Sequence, residues 1–179
     1  MKEIKDFDKV EEPTSVGKVK VGPQLVVIKE VEDLKEKEYL QIKFDIASGE
    51  QKGMFEEREN AFGDWPNAGI HRQSYKKKAL PFFKRFITAI ENSNENFKWG
   101  WDEQKLVGKY FIANYGVEEF VLDDEVHETV KMREPRSVKA FKEGNVKPPS
   151  PKRLAEKDRP QPKAEDELPD IINEDDLPF

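Results

Sequence analysis

Cysteine is absent from the 179 residues, which excludes disulfides, thiol nucleophiles and thiolate metal sites and suits a reducing cytoplasm. Histidine is nearly as scarce. His71 and His127 are the only two, far apart and without a partner ligand at metal-binding spacing, so a zinc site has almost no material. No run of eighteen apolar residues occurs, and Met1, Lys2, Glu3, Ile4, Lys5 and Asp6 lack the apolar segment of a secretory signal. Neither a membrane span nor export is expected. Hydrophobic residues are 36% of the chain against 38% charged, so the apolar material must be concentrated to build a core. One domain with tails is the expected organisation.

The formal charge of -6 is unevenly spread. Residues 165–179 hold seven acids (Glu165, Asp166, Glu167, Asp170, Glu174, Asp175, Asp176) and no base. Removing those seven from the 37 acids leaves 30 against 31 basic residues, so the rest of the chain is almost neutral. Within it the bases cluster. Arg72, Lys76, Lys77, Lys78, Lys84 and Arg85 lie in residues 71–85 with no acid among them, and residues 133–163 hold ten bases against four acids. Two basic clusters with interleaved aromatics leave a polyanionic partner open, beside the plainer reading of solvated faces.

Residues 1–20 are charged and aperiodic and read as a flexible N-terminal arm. Leu25, Val26, Val27 and Ile28 indicate a buried strand over residues 24–31. Leu40, Ile42, Phe44 and Ile46 alternate with Gln41, Lys43 and Asp45, as a half-buried strand does. A third strand is expected over residues 52–58, followed by a long loop over residues 60–74. Leu80, Phe83, Ile87 and Ile90 recur at helical spacing over residues 79–92, with Pro81 tolerated in the first turn. Further strands are expected over residues 109–115 and 118–122, then 126–132 and 136–141. Phe44, Phe55, Phe83 and Phe111 are assigned to the core, and Trp99 and Trp101 to the core or a barrel end, with base stacking the alternative. From Lys147 onward prolines and charges dominate, a composition too poor in apolar side chains to order itself.

Three strands, a helix, then more strands is the order of a five-stranded oligonucleotide and oligosaccharide-binding (OB) barrel with its helix between strands 3 and 4. The expected fold class is therefore all-β with one helix. The barrel is expected over residues 21–147, and residues 148–179 are expected to form a disordered Pro-rich linker and acidic protein-interaction tail.

That tail closes on Asp175, Asp176, Leu177, Pro178 and Phe179. An aromatic ring on a restrained backbone behind a run of acids makes a portable ligand for an apolar pocket with a basic rim. The ending resembles the tip of bacterial and phage single-stranded-DNA-binding proteins, usually Asp-Asp-Ile-Pro-Phe, with one conservative departure at Leu177. The helix and residues 109–120 look similar to phage-encoded OB-fold replication proteins of Gram-positive hosts. The resemblance implies sequence-independent binding and protection of single-stranded DNA during replication, recombination and repair, in the cytoplasm of a bacterial host cell. It also implies that Asp175, Asp176, Leu177, Pro178 and Phe179 recruit replication, recombination or repair proteins and fold back on the DNA groove.

Binding a strand without reading it needs cations for phosphates and rings for bases. On an OB barrel the second and third strands and their loops select Tyr39, Gln41, Lys43, Lys52, Arg58 and Trp65. Arg72, Tyr75, Lys76, Lys77 and Lys78 are candidate phosphate clamps, and Tyr110, or alternatively Tyr115 on the opposite parity, a further ring. Trp65 is a base stacker or a ring tucked onto its own domain, and Arg58 a contact or a partner for Glu59. No cofactor is called for. A metal-dependent nuclease using Asp45, Glu57 and Asp64 is the enzymatic alternative. An annealing accessory or interaction protein without DNA affinity is the other. A homo-oligomer remains open.

Overall fold

The computed structural model describes residues 17–160. Five antiparallel strands form one sheet: β1 (Gly22–Leu34), β2 (Tyr39–Ile46), β3 (Ile70–Ser74), β4 (Tyr110–Leu122) and β5 (Glu125–Arg136), in the order β3-β2-β1-β4-β5. Three helices accompany them, α1 (Met54–Phe62), α2 (Leu80–Glu91) and α3 (Val138–Lys142). Along β2 the alternation predicted from sequence buries Leu40, Ile42, Phe44 and Ile46 on one side. In β1 the buried positions are Val26, Ile28 and then Val31, because a bulge between Ile28 and Glu30 shifts the register by one residue.

No ladder joins β3 to β5 among the described residues, so the expected closed barrel is instead an open sheet. The gap is filled by side chains. Phe83, Phe86, Ala89 and Ile90 bury one stripe of α2, which packs against β3, β4 and β5. Phe86 meets Phe111 at 5.6 Å in a T-shaped pair, and Phe44 meets the same ring at 5.5 Å. Toward the other end, the buried Tyr115 donates its hydroxyl proton to the Ala68 carbonyl at 2.8 Å. That bond ties β4 to the turn Asn67–Gly69 that leads into β3.

Residues 52–58, read as a strand, are mostly helix. The signal for α1 is remote: Asp45, on β2, accepts the backbone N–H groups of Phe55 and Glu56, both at 3.0 Å, and so caps a helix nine residues downstream. The third strand lies instead in residues 60–74, read as a loop. Its inward positions are His71 and Gln73, which face Ile42 and Leu40 across the ladder and bond each other at 3.1 Å. Strands expected at 109–115 and 118–122 are one strand running through Gly116. There the ideal Cβ position lies 2.7 Å from Pro149 Cγ and 2.9 Å from Arg133 Cγ, so glycine permits close packing rather than a break. β5 likewise continues through Pro135. The strand expected over residues 136–141 is not there beyond Arg136, the last residue of β5: Ser137 accepts the Ala140 N–H at 3.0 Å and starts α3.

The ends of the body also differ from expectation. Val19 is buried, and Gln51 binds the backbone of Lys18 and Lys20, so the last residues of the supposed arm belong to the fold. Residues 148–160, predicted to be disordered, lie along β4 as a strap. Lys152 donates its N–H to the Val117 carbonyl and accepts that of Glu119, taking the edge that β1 leaves free beyond Tyr115. Glu119, its side chain 6% exposed, receives Arg153 and Arg159, each at 2.7 Å, and the Leu154 N–H. The Arg153 hydrogen bond, then the Leu154 N–H, hold its carboxyl below the usual range. Charge pairing supplies the order that apolar composition lacks.

Candidate functional site

The outer face of β1–β3 is set by register. Gln41 lies between Arg72 and Glu32, Lys43 between Ile70 and Glu30, and Tyr39 between Ser74 and Leu34. Cross-strand neighbours stand about 5 Å apart, so these rows form one continuous patch. Four of the predicted residues, Tyr39, Gln41, Lys43 and Arg72, therefore come together. Arg72 donates its Nε–H to the Gln41 side-chain oxygen at 3.1 Å, which aims the guanidinium along the sheet.

Glu30 and Glu32 share this face and were not anticipated. Glu30 pairs with Lys43 at 3.2 Å, so the patch is charge-balanced rather than cationic. The bulge in β1 brings both acids there by reversing the parity of every residue after it. The burial spacing of two followed by three, Val26, Ile28, Val31, is the signal that could have found them.

Beyond β3 the chain turns through Lys76, Lys77 and Lys78 into the start of α2. These three lysines are exposed and make no ion pair among the described residues. They extend the Arg72 edge into a basic ridge, beside the positive end of the α2 dipole. Tyr75 is not a free clamp. Its hydroxyl donates to Asp33 at 2.8 Å and its ring packs on Phe83 at 6.2 Å, so it pins β3 to the β1 end and to α2. Tyr110, 44% exposed, lies beside Val27, on the fourth strand of the same sheet. Tyr115, its alternative, is buried.

Lys52, Arg58 and Trp65 lie apart from this patch. Lys52 is exposed in the turn before α1. Arg58 pairs with Asp64 at 3.4 Å and stacks over Phe62, rather than pairing with Glu59. The Trp65 indole donates to the Gly69 carbonyl at 3.0 Å and packs edge-on to Phe55, so the ring is tucked onto its own domain. Both line a cleft of about 340 Å³ between α1 and β5. Of the carboxylates proposed for magnesium, Asp45 is occupied by three backbone N–H groups, including Ile46 at 2.7 Å, and Asp64 by Arg58. Asp175, Asp176, Leu177, Pro178 and Phe179 lie outside the described residues.

Behind the patch, His71 faces inward. Burial pushes its pKa below the ordinary value of 6.5, against a smaller opposing effect of the Gln73 hydrogen bond. The folded protein thus keeps the ring neutral while the unfolded chain takes up a proton near pH 6.5. This contribution to stability is complete above pH 6.5 and is lost as the pH falls, by at most about 1.4 kcal/mol per unit. Urea midpoints at pH 7 and pH 5.5 are expected to fall more for the native chain than for His71→Phe. Equal falls would remove His71 as the cause.

Two further exposed features surround the sheet. The β4–β5 hairpin turns at Asp123 and Asp124, both with positive φ, and leaves Phe120, Val121, Leu122 and Val126 exposed near its tip. Trp101, assigned to the core or a barrel end, is not in the core: it is 82% exposed beside α2. No helix among the described residues is long and apolar enough to cross a membrane. Compared with protein-family models and with curated proteins, the sequence matches none.

Proposed function

We propose that this protein binds single-stranded DNA without reading its sequence, across the outer face of β1–β3 and along the Lys76, Lys77 and Lys78 ridge. The observation that carries the reading is the convergence of Tyr39, Gln41, Lys43 and Arg72 on one face that runs directly into three exposed lysines with no ion pair among the described residues. Phosphates track the five cations Lys43, Arg72, Lys76, Lys77 and Lys78, while Tyr39 and Tyr110 offer rings, each stacked base contributing about 1–3 kcal/mol. The strand order supports an OB-type fold opened between its third and fifth strands, with α2 between β3 and β4 in the chain. Glu30 and Glu32 on the same face favour weak, salt-sensitive binding.

The acidic tip, Asp175, Asp176, Leu177, Pro178 and Phe179, recruits replication, recombination or repair proteins in this reading, as the resembling phage and bacterial proteins do. The setting is a bacterial host cytoplasm, and no catalytic step is assigned. The test is anisotropy of end-labelled oligo-dT of graded length titrated with the full chain at several salt concentrations. Saturable binding is expected, with log affinity falling against log salt at a slope near about -3.5 for five phosphates. Removing residues 165–179 is expected to leave affinity unchanged or raised at low salt. No binding in dilute buffer, with or without those residues, refutes the proposal and leaves an interaction protein.

A further inference from the structure

The proposed DNA face does not use the outward side of α2, which carries a cleft of about 330 Å³. Leu80, Ile87, Trp99 and Trp101 give it an apolar lining and Lys84 a cation. Its formation is local. Gly100 and Trp101 both take positive φ, 65° and 64°, which turns the chain back and lays the Trp101 ring against Trp99 at 4.8 Å between centroids. Left-handed backbone at tryptophan is unfavourable, and here it holds a large ring that is still 82% in water. Beneath it, the buried Trp99 Nε1–H has no acceptor among the described residues. A buried donor in that condition calls for a partner.

The acid that lines the cleft does not provide one. Glu91 already accepts the backbone N–H of Trp99 at 3.1 Å and the Lys98 ammonium at 3.4 Å. Lys84, by contrast, makes no ion pair among the described residues. The cleft therefore has an apolar floor and, in Lys84, a cation with no ion pair among the described residues. It fits an apolar and aromatic peptide that brings its own carboxylates.

We propose that residues 174–179 of this same chain occupy the cleft, with Leu177 and Phe179 on the tryptophans and Glu174, Asp175 and Asp176 toward Lys84. The composition matches: the only stretch beyond Pro160 that joins leucine and phenylalanine directly to a run of acids is this one. Reach is sufficient. The 19 residues after Pro160 span up to about 60 Å when extended, against a body about 40 Å across for its length. A tether of that length presents its end at about millimolar effective concentration, so a shallow cleft of modest affinity is enough. Occupation would cover Trp101 and withhold the tip from other proteins, whether or not the sheet binds DNA.

The test uses the three indole N–H signals of the full-length ¹⁵N-labelled protein, assigned by single Trp→Phe substitutions. Phe179→Ala, outside the described fold, is expected to move the Trp99 and Trp101 signals and leave Trp65, bonded to Gly69, in place. Free peptide of residues 174–179 added to Phe179→Ala is expected to restore both signals at about millimolar concentration. If Phe179→Ala leaves all three unchanged, the proposal is wrong. A contact that disappears on dilution belongs to a second copy and overturns it equally. A chain that fails with oligo-dT but passes here loses the DNA reading and keeps this one.

Discussion

Replacing Lys76, Lys77 and Lys78 together by glutamine is expected to weaken oligo-dT binding about 100-fold at 0.1 M salt. Each phosphate neutralised on a single strand contributes about 0.7 to the salt slope. Losing three of five should flatten the slope from about -3.5 to about -1.4, and at 0.1 M the same three contacts amount to roughly two decades of affinity. All three side chains are exposed and make no ion pair among the described residues, so the fold should be undisturbed. Circular dichroism and the urea midpoint serve as the control. Glutamine, unlike glutamate, introduces no repulsion, which keeps the slope readable as a count of phosphates. If the triple variant binds with the native slope, the ridge is not where the strand lies.

Phe111→Ala should have the largest effect on stability, a loss of about 3–5 kcal/mol. Its ring is fully buried and meets Phe44 from β2 and Phe86 from α2 edge-on. It therefore links two strands to the helix that fills the open side of the sheet, and no single neighbour can collapse into the space without opening another. Domains of this size are stable by roughly 5–15 kcal/mol. The substitution thus removes about a fifth or more of the total. It should appear as a lower urea midpoint with unchanged slope. Tyr110→Ala, one residue away on the exposed side, should change stability by less than about 0.5 kcal/mol. A loss below about 1 kcal/mol at Phe111 would show that α2 and the sheet do not share one core.

Phe44, Phe83 and Phe111 were assignable to the interior from sequence because each sits on a period-2 or helical stripe of other apolar residues, whereas Phe55 is buried as assigned but on α1 rather than on the expected strand. The same periodicity made β2 and α2 legible. β3 was not, since its inward residues are His71 and Gln73, a polar pair that satisfies itself inside the fold and shows no apolar alternation. α1 was hidden for a different reason: its cap comes from Asp45 on β2, and no local residue marks the start. The strap was missed because composition measures apolar burial, whereas Glu119 binds it through two guanidinium groups.

The proposed binding face followed the same division. Tyr39, Gln41 and Lys43 were readable as the polar side of an alternating strand. Arg72 joined them through a strand register that its loop-like sequence does not advertise, while Glu30 and Glu32 arrived through a bulge. Trp65 was placed by loop composition alone, and the Gly69 carbonyl decided its orientation.

The strap is fastened in two ways that answer differently to the solvent. Arg153 and Arg159 reach Glu119 as ion pairs, whereas Lys152 joins Val117 and Glu119 through main-chain hydrogen bonds and Asn114 holds the Lys147 carbonyl at 2.8 Å. Electrolyte screens the first kind and spares the second, so a rise in ionic strength should loosen the chain from Arg153 to Arg159 while residues 147–152 keep their place.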